Sequence, residues 1–244
     1  MRSLQPRLDL IARREKTLES MVVYRDDSDD VRAGLAELRN TGLLGGGLAK
    51  LQQVAAAIED FKTSGKPVIA GADFLSQQGY YLAAHADEVY MHPDGLLLMQ
   101  GYGRWRTFYK DAIDLLRIDW NVFRAGTHKT AYETYTRMDM SDEDRETRLR
   151  LLDQLWALYR EDIVAARELD EGAVQAYADD IIEDIKAAEG DFATPALNAG
   201  LIEGLKSRTE IRDMLTGIVG EDKDEPGSFN AVGMSAYLAQ MRMM

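Results

Sequence analysis

Lys129 is the residue whose type and setting best suit it for acid–base chemistry. It follows a glycine and the end of a predicted strand, and it stands among small polar residues in the segment Gly126-Thr-His-Lys-Thr-Ala131. A lysine that is partly desolvated at the edge of a sheet loses its proton more easily and can then act as a general base. The alternative is a solvated loop lysine. Local sequence favours that alternative, because lysines are common on protein surfaces.

The three histidines, His85, His92 and His128, show no spacing typical of a metal or catalytic site. The segment His85-Ala-Asp-Glu88 lacks the second histidine of a zincin motif, and the chain has no G-x-S-x-G nucleophile elbow. A Ser/His/Asp triad remains possible because its members need not be neighbours in sequence. The absence of cysteine excludes thiolate catalysis and cysteine-based zinc sites. We expect structural or surface roles for the histidines, no metal and no cofactor.

Apolar spacing ahead of Lys129 predicts an alternating α/β core. A weak strand at Val31–Leu38 precedes an amphipathic helix over 48–63, which a buried strand at Val68–Gly71 follows. This order is a βαβ unit, and such a unit implies a parallel sheet. The same order then repeats, with an apolar helix at Tyr80–Ala84 and a short strand at Glu88–Met91.

The segment between this core and Lys129 is predicted from composition and alternation. His92-Pro-Asp-Gly95 has the composition of a turn. Residues Arg104–Leu116 have helical character, and Asp119–Arg124 alternates like a strand that runs into the Lys129 segment. We therefore expect Lys129 to lie at the end of a strand.

The remainder of the chain is predicted to be helical. The pattern Ser141-x-x-Asp144 marks a helix start, a long amphipathic helix follows it, and further helix is expected over 171–188. We predict three regions: a charged N-terminal segment over 1–30, a folded region over 31–219 and a linker with an exposed tail over 220–244. Within the folded region the α/β core extends to about residue 137, and helical layers complete it.

Charge and hydropathy restrict the partners. The 29 basic and 42 acidic residues give a formal net charge of −13. No Lys/Arg cluster supplies the basic face that nucleic acid needs, so we expect no nucleic-acid partner. No apolar run approaches the ~18 residues of a membrane span, and the first residues, Met1-Arg-Ser-Leu-Gln-Pro-Arg7, lack the apolar core of a signal peptide. We expect an acidic globular chain without a signal peptide or membrane span.

Several stretches of the sequence resemble the signal peptide peptidase A (protease IV) family, membrane-associated bacterial serine proteases, in its long two-repeat form. They keep the order and spacing of the family's motifs, and weaker similarity extends over roughly residues 31–240. The stretches are Gly65-Lys-Pro-Val-Ile-Ala70, Ser76-Gln-Gln-Gly-Tyr-Tyr-Leu-Ala-Ala-His-Ala-Asp-Glu-Val-Tyr90, Val122-Phe-Arg-Ala-Gly-Thr-His-Lys-Thr-Ala131 and Asp139-Met-Ser141.

The resemblance implies an α/β, ClpP/crotonase-like fold of repeated ββα units with additional C-terminal helices. It also implies a Ser/Lys dyad, in which the N-terminal repeat supplies the lysine base and the C-terminal repeat supplies the serine nucleophile. The family's Gly-Thr-Tyr-Lys-Ser-Ala-like motif falls on Lys129, with His128 and Thr130 as variants. By family we expect a cofactor-free peptidase of signal peptides and short apolar peptides. We also expect it to form homo-oligomers at the inner membrane, facing the periplasm or cell exterior.

The chain departs from the family at the nucleophile and resembles only the N-terminal repeat. No Ala-Ser-Gly-Gly-Tyr motif is present. The corresponding Leu75-Ser-Gln-Gln-Gly-Tyr80 puts Gln77 at the nucleophile position, and Ser76 could serve only if the register slipped by one residue. Thr134 stands where the family usually has proline. We expect half an enzyme, inactive alone, that lacks the serine-bearing second repeat and the membrane anchor.

Two other functions remain open. The chain could be a non-catalytic scaffold module in an oligomeric ring, and Lys129→Ala would then be tolerated. It could also be an acyl-CoA hydratase-like enzyme of the same fold superfamily, which binding of a CoA ester would support. The local motifs favour the peptidase, and a shared fold alone does not fix function.

Overall fold

The structure, a computed structural model, describes residues 21–23, 36–39, 47–123, 125–126, 129–223 and 225–233. The described residues divide into two compact units. The sheet unit runs up to Gln100 and resumes at Arg160, and the lysine unit is Gly101–Tyr159.

A mixed sheet forms the centre of the sheet unit. Its strands, in chain order, are β1 (Met21–Val23), β2 (Ala36–Arg39), β3 (Val68–Ser76), β4 (Glu88–Leu98), β5 (Gly204–Leu205) and β6 (Val232–Gly233). They lie in the order β5-β4-β3-β2-β1-β6. From β2 to β5 neighbouring strands are parallel, whereas β1 is antiparallel to both β2 and β6. The α/β class and the parallel sheet predicted from the sequence are confirmed.

The predicted βαβ unit consists of β2, helix α1 (Leu48–Lys62) and β3. The helix forms because apolar side chains recur on one face, and Leu48, Leu51, Val54, Ala55 and Ile58 are buried there. Gly65, at φ +77°, adopts a left-handed conformation that suits glycine as the chain turns from α1 towards β3. Of the strand predicted at Val31–Leu38, residues 36–38 lie in β2, and residues 31–35 lie outside the described ranges.

The turn predicted at His92–Gly95 is wrong, because these residues lie inside β4. The register between β3 and β4 shifts between Ala72 and Phe74, and the two strands then pair again up to Ser76 and Leu98. His92–Gly95 have no partner in β3 and form the irregularity itself, opposite Asp73, so their turn-forming composition is accommodated as a bulge between two stretches that do pair with β3. Helix α2 (Gln77–Ala83), which follows β3, confirms the apolar helix predicted at Tyr80–Ala84, although it begins three residues earlier and ends at Ala83.

The remaining helices, in chain order, are α3 (Lys110–Leu115), α4 (Glu133–Thr136), α5 (Asp142–Arg167), α6 (Ala173–Ala187), α7 (Thr194–Asn198) and α8 (Arg208–Val219). The start of α5 and the position of α6 confirm the helices expected from Ser141-x-x-Asp144 and over 171–188. Within the described ranges, no helix combines the length and apolar character that a membrane span requires.

Residues 229–233 differ from the exposed tail expected of them. Phe229 is buried with Ile69 of β3 and with Ile211, Leu215 and Val219 of α8. Val232–Gly233 forms β6 and pairs with β1. The short apolar segment was missed because its burial depends on partners from distant parts of the chain. The wider division into 1–30, 31–219 and 220–244 stays a prediction.

The lysine unit corrects two further predictions. Helix α3 is only six residues long, so the helical character expected from Arg104 is confirmed only over Lys110–Leu115. No strand forms over Asp119–Phe123, and Arg124 lies outside the described residues. Alternation forms a strand only where a sheet edge offers pairing, and here Trp120 instead stacks on Tyr135, with ring centroids 4.6 Å apart.

Candidate functional site

Lys129 lies in an irregular segment of the lysine unit, directly before α4. Its side chain is exposed and makes no ion pair with another described residue. The chain bends at Gly126, three residues earlier, where φ is +99°, a conformation that favours glycine. The described part of the chain therefore does not supply the partial desolvation that a lysine base needs.

The residue after Lys129 is held firmly. Thr130 is buried, and its hydroxyl donates a 2.6 Å hydrogen bond to Oδ1 of Asp144 near the start of α5. Asp144 is only 3% exposed. A backbone bond from Glu133 N to the Thr130 carbonyl, at 3.0 Å, joins this residue to the first turn of α4. The exposed lysine thus projects from an anchored backbone.

Arg106 also holds the segment that follows Lys129 through hydrogen bonds. Its Nη1 donates to Oδ2 of Asp144 at 2.9 Å, and its Nη2 donates to the carbonyls of Thr130 and Ala131 at 3.1 and 2.9 Å. Its Nε donates to the Thr134 hydroxyl at 2.7 Å. The threonine found where the family usually has proline is therefore a hydrogen-bond acceptor in this protein. One guanidinium group spans the residues from Thr130 to Thr134.

Asp144 is the charged centre of this arrangement. Arg148, one turn further along α5, donates from Nε to Oδ2 of Asp144 at 2.7 Å. Burial by itself raises the pKa of the Asp144 carboxyl, but the hydrogen bonds from Arg148 and Thr130 and the charges of Arg148 and Arg106 hold that pKa below its usual range. Asp144 is thus an ionised carboxylate between two guanidinium groups.

Ser76, the nucleophile candidate that a one-residue shift of register would give, lies in the sheet unit as the last residue of β3. Its hydroxyl oxygen accepts a 3.2 Å hydrogen bond from the Gly79 backbone and caps α2. Gln77, at the position expected for a nucleophile, begins α2, and its Oε1 accepts from Gln100 N at 3.0 Å. Ser76 and Lys129 belong to different units, and no described residue of the sheet unit places a lysine or histidine side chain in hydrogen-bond contact with Ser76.

The described histidines make structural contacts. His85 Nδ1 lies 3.0 Å from Oε1 of Glu59, and His92 Nδ1 accepts from the backbone nitrogen of Asp94 at 3.1 Å within β4. His128 lies outside the described residues.

Sequence reasoning missed Arg106 and Asp144 as parts of this site. Asp144 carried a signal, since it is the last residue of the Ser141-x-x-Asp144 helix start, but that pattern predicts only a cap. The cap is present: Ser141 Oγ accepts from Asp144 N at 3.2 Å. Arg106 carried no local signal, because its partners lie 24 or more residues away in sequence.

Comparison with known proteins relates the chain to peptidases. Residues 60–216, which include both Ser76 and Lys129, match the family model described as Peptidase family S49. Protease 4 of Haemophilus influenzae is 29% identical over 231 residues, covering 95% of this chain and 37% of that protein. Protease 4 of Salmonella typhi is 30% identical over 211 residues, covering 86% and 34%. The chloroplastic serine protease SPPA of Arabidopsis thaliana is 23% identical over 179 residues, covering 73% and 25%. The chain spans about a third of the length of the two bacterial relatives.

Proposed function

The chain belongs to peptidase family S49, and on that premise we propose that it supplies the lysine general base of a Ser/Lys peptidase. The serine nucleophile comes from a second, serine-bearing repeat that completes the active site. The observation that carries the proposal is Lys129: its side chain is exposed, has no ion pair with another described residue, and is followed by an anchored backbone. A general base must be both accessible to its nucleophile and held in a fixed direction.

The chemistry proceeds through an acyl-enzyme. The serine Oγ attacks the carbonyl carbon of the peptide bond while its proton passes to the uncharged Nζ of Lys129. Lys129 returns that proton to the leaving amine as the C–N bond breaks, and an ester remains on the serine. A water molecule then loses a proton to Lys129 and attacks the ester, and the proton returns to the serine oxygen. Backbone N–H groups hold the oxyanion at each attack.

The second repeat also changes the environment of the base. Lys129 is exposed in this chain, and water stabilises a charged ammonium group. Covering Lys129 with the serine-bearing repeat removes that water, and burial favours the uncharged form of a lysine. The dyad therefore becomes active only when the two repeats meet, which agrees with the inactivity we propose for the chain alone.

The wider properties follow from the resemblance. We propose a ClpP/crotonase-like fold, which the parallel order of β2 to β5 supports. The proposed substrates are signal peptides and short apolar peptides. The proposed setting is a homo-oligomer associated with the inner membrane and facing the periplasm or cell exterior.

A second candidate is a non-catalytic scaffold of the same family. It is favoured by the contacts at the nucleophile position of this repeat. Gln77 stands there, and the hydroxyl oxygen of Ser76 serves as a helix cap. The two candidates differ in what they require of Lys129, since a scaffold tolerates its replacement.

The deciding experiment measures hydrolysis of a fluorogenic apolar peptide by the chain alone and by the chain mixed with a serine-bearing repeat from a two-repeat family member. We expect turnover only in the mixture. Lys129→Ala should abolish that turnover, whereas Lys186→Ala, which changes an exposed lysine on α6, should not.

Each other outcome has a clear meaning. Turnover in the mixture that survives Lys129→Ala would contradict the proposed base and support the scaffold. Turnover by the chain alone that Ser76→Ala abolishes would show that the chain carries its own nucleophile. An inactive mixture that still binds the serine-bearing repeat would also favour the scaffold.

A further inference from the structure

We infer that Asp144, acting through Thr130, is a positioning residue for Lys129. This inference rests on the proposed function, because it concerns the direction in which the lysine base is held. Asp144 does not reach the reacting atoms. It fixes the backbone from which Lys129 projects.

The direction of the Lys129 side chain depends on the backbone that follows Lys129. Before Lys129, Gly126 has a φ of +99°, a conformation that favours glycine, and a Cβ atom at this position would meet no described atom within 4 Å. After it, Thr130 is buried and bonded to Asp144 at 2.6 Å. Among the described residues, Thr130 is the neighbour of the proposed base whose side chain anchors the main chain, and this anchor depends on the Asp144 carboxylate.

The Asp144 carboxylate also orients the second restraint on this backbone. It accepts the Arg106 Nη1 hydrogen bond at 2.9 Å, and this sets the plane of the guanidinium group. In that plane, Nη2 reaches the carbonyls of Thr130 and Ala131. Charge-assisted bonds of this kind are stronger and more directional than neutral ones. The Asp144 carboxylate therefore supports two restraints: the bond to the Thr130 hydroxyl, and the Arg106 bonds to the carbonyls of Thr130 and Ala131.

Loss of these restraints should reduce catalysis without weakening substrate binding. A displacement of about 1 Å between reacting groups can lower the rate of the chemical step about a hundredfold. The restraints hold the base and do not contact the peptide, so KM should change little. This split separates positioning from substrate recognition.

Thr130 offers a matched pair of variants. Thr130→Val keeps the size and β-branching of the side chain but removes the hydroxyl that bonds Asp144. Thr130→Ser keeps the hydroxyl and removes only a methyl group. A structural packing role predicts that Thr130→Val is tolerated and that Thr130→Ser, which loses the methyl group, reduces activity together with thermal stability. The positioning role predicts the reverse, that serine keeps the activity that valine removes.

The catalytic test uses the chain mixed with the serine-bearing repeat. For Thr130→Val we expect kcat to fall at least tenfold with KM within twofold of wild type, and for Thr130→Ser we expect kcat within threefold of wild type. We also expect the acid limb of the kcat–pH profile to move to higher pH in Thr130→Val, because a loosely held lysine regains contact with water. If Thr130→Val keeps kcat within twofold, the inference is wrong.

A second measurement separates this inference from the proposed function. Hydrogen exchange of the backbone amides over 129–134 is measured on the chain alone, which needs no activity. We expect faster exchange in Thr130→Val and wild-type exchange in Thr130→Ser. Unchanged exchange in Thr130→Val would overturn the anchoring itself. Activity that persists in Lys129→Ala would overturn the proposed function and with it the positioning role of Asp144, and hydrogen exchange would still report on the anchor.

Discussion

Glu133 on α4 accepts two hydrogen bonds from Ser141, the residue that precedes α5. Its Oε1 lies 2.5 Å from the Ser141 hydroxyl oxygen, and its Oε2 lies 3.2 Å from the Ser141 backbone nitrogen. Glu133 is 2% exposed, so these bonds satisfy a buried carboxylate. The two bonds join Glu133, the first residue of α4, to Ser141, the residue that caps α5.

Glu133→Gln should destabilise the protein by about 1–3 kcal/mol, because it removes the charge that strengthens both bonds and replaces one acceptor oxygen with an N–H donor. The measurement is urea unfolding followed by circular dichroism. Glu161→Gln, on an exposed position of α5, is the control and should change the free energy of unfolding by less than about 0.5 kcal/mol. Equal free energies of unfolding of the two variants would contradict a stabilising role of the Glu133–Ser141 hydrogen bonds.

Asp144→Asn should give a pH-dependent loss of stability. At pH 7 we expect a loss of about 2–3 kcal/mol, because two guanidinium groups lose their carboxylate partner. The pKa of Asp144 is lowered in the folded protein, so its stabilising effect is present above the unfolded value of about 3.9. That effect is lost as the pH falls through the lower, folded pKa.

The check on Asp144 compares the free energies of unfolding of wild type and Asp144→Asn at pH 7, 4 and 2.5. The difference between the two proteins should be largest at pH 7 and should narrow below pH 4. A difference that stays constant over this range would mean that the Asp144 charge adds nothing to stability.

Gly95→Ala should destabilise the sheet unit by about 3 kcal/mol, since overfilling a packed site forces the backbone to move. A Cβ atom at Gly95 would lie 2.7 Å from the carbonyl oxygens of both Asp73 and His92. Gly217→Ala in α8 is the matched control, because a Cβ there meets nothing within 4 Å and alanine favours helix. Thermal unfolding should show a lower Tm for the first variant and an unchanged or higher Tm for the second.

Trp120→Ala should destabilise the lysine unit by about 1–2 kcal/mol, because the half-exposed ring stacks on Tyr135. It should also reduce the near-ultraviolet circular dichroism signal that ordered aromatic rings produce. Trp105 is 98% exposed and provides the control: Trp105→Ala should leave stability within about 0.5 kcal/mol of wild type. The stacking would be unimportant if the two variants behaved alike.

Where the fold could be predicted from the sequence, local pattern and final environment agreed. Helix α1 has a regular apolar face, and the buried start of β3, Val68–Gly71, directly follows Gly65-Lys-Pro67. Predictions failed where long-range pairing decided the outcome. His92–Gly95 has turn composition but lies inside β4 as a bulge, because the residues on both sides of it pair with β3. Asp119–Phe123 alternates like a strand but pairs with no strand among the described residues.

For the candidate site, too, local sequence patterns were informative and contacts between distant residues were not. Lys129 could be identified because a family motif surrounds it in sequence. Arg106 could not, because a guanidinium group reaches residues that are distant along the chain, and no spacing rule connects them. Asp144 was recognised only as part of a helix start, since sequence does not show that its carboxylate would be buried beside two arginines.

Strand β1 is hydrogen-bonded on one side to β2 and on the other to β6, with Val22 opposite Gly233. Translation at about 5–20 residues per second separates the synthesis of these partners by an interval on the order of 10–40 s. Throughout that interval a nascent β1 has one unpaired side, and an open strand edge can recruit other chains. Among the described strands, the one that covers the free side of β1 is therefore synthesised last, and β1 stays open to pairing with other chains until residue 233 has emerged from the ribosome.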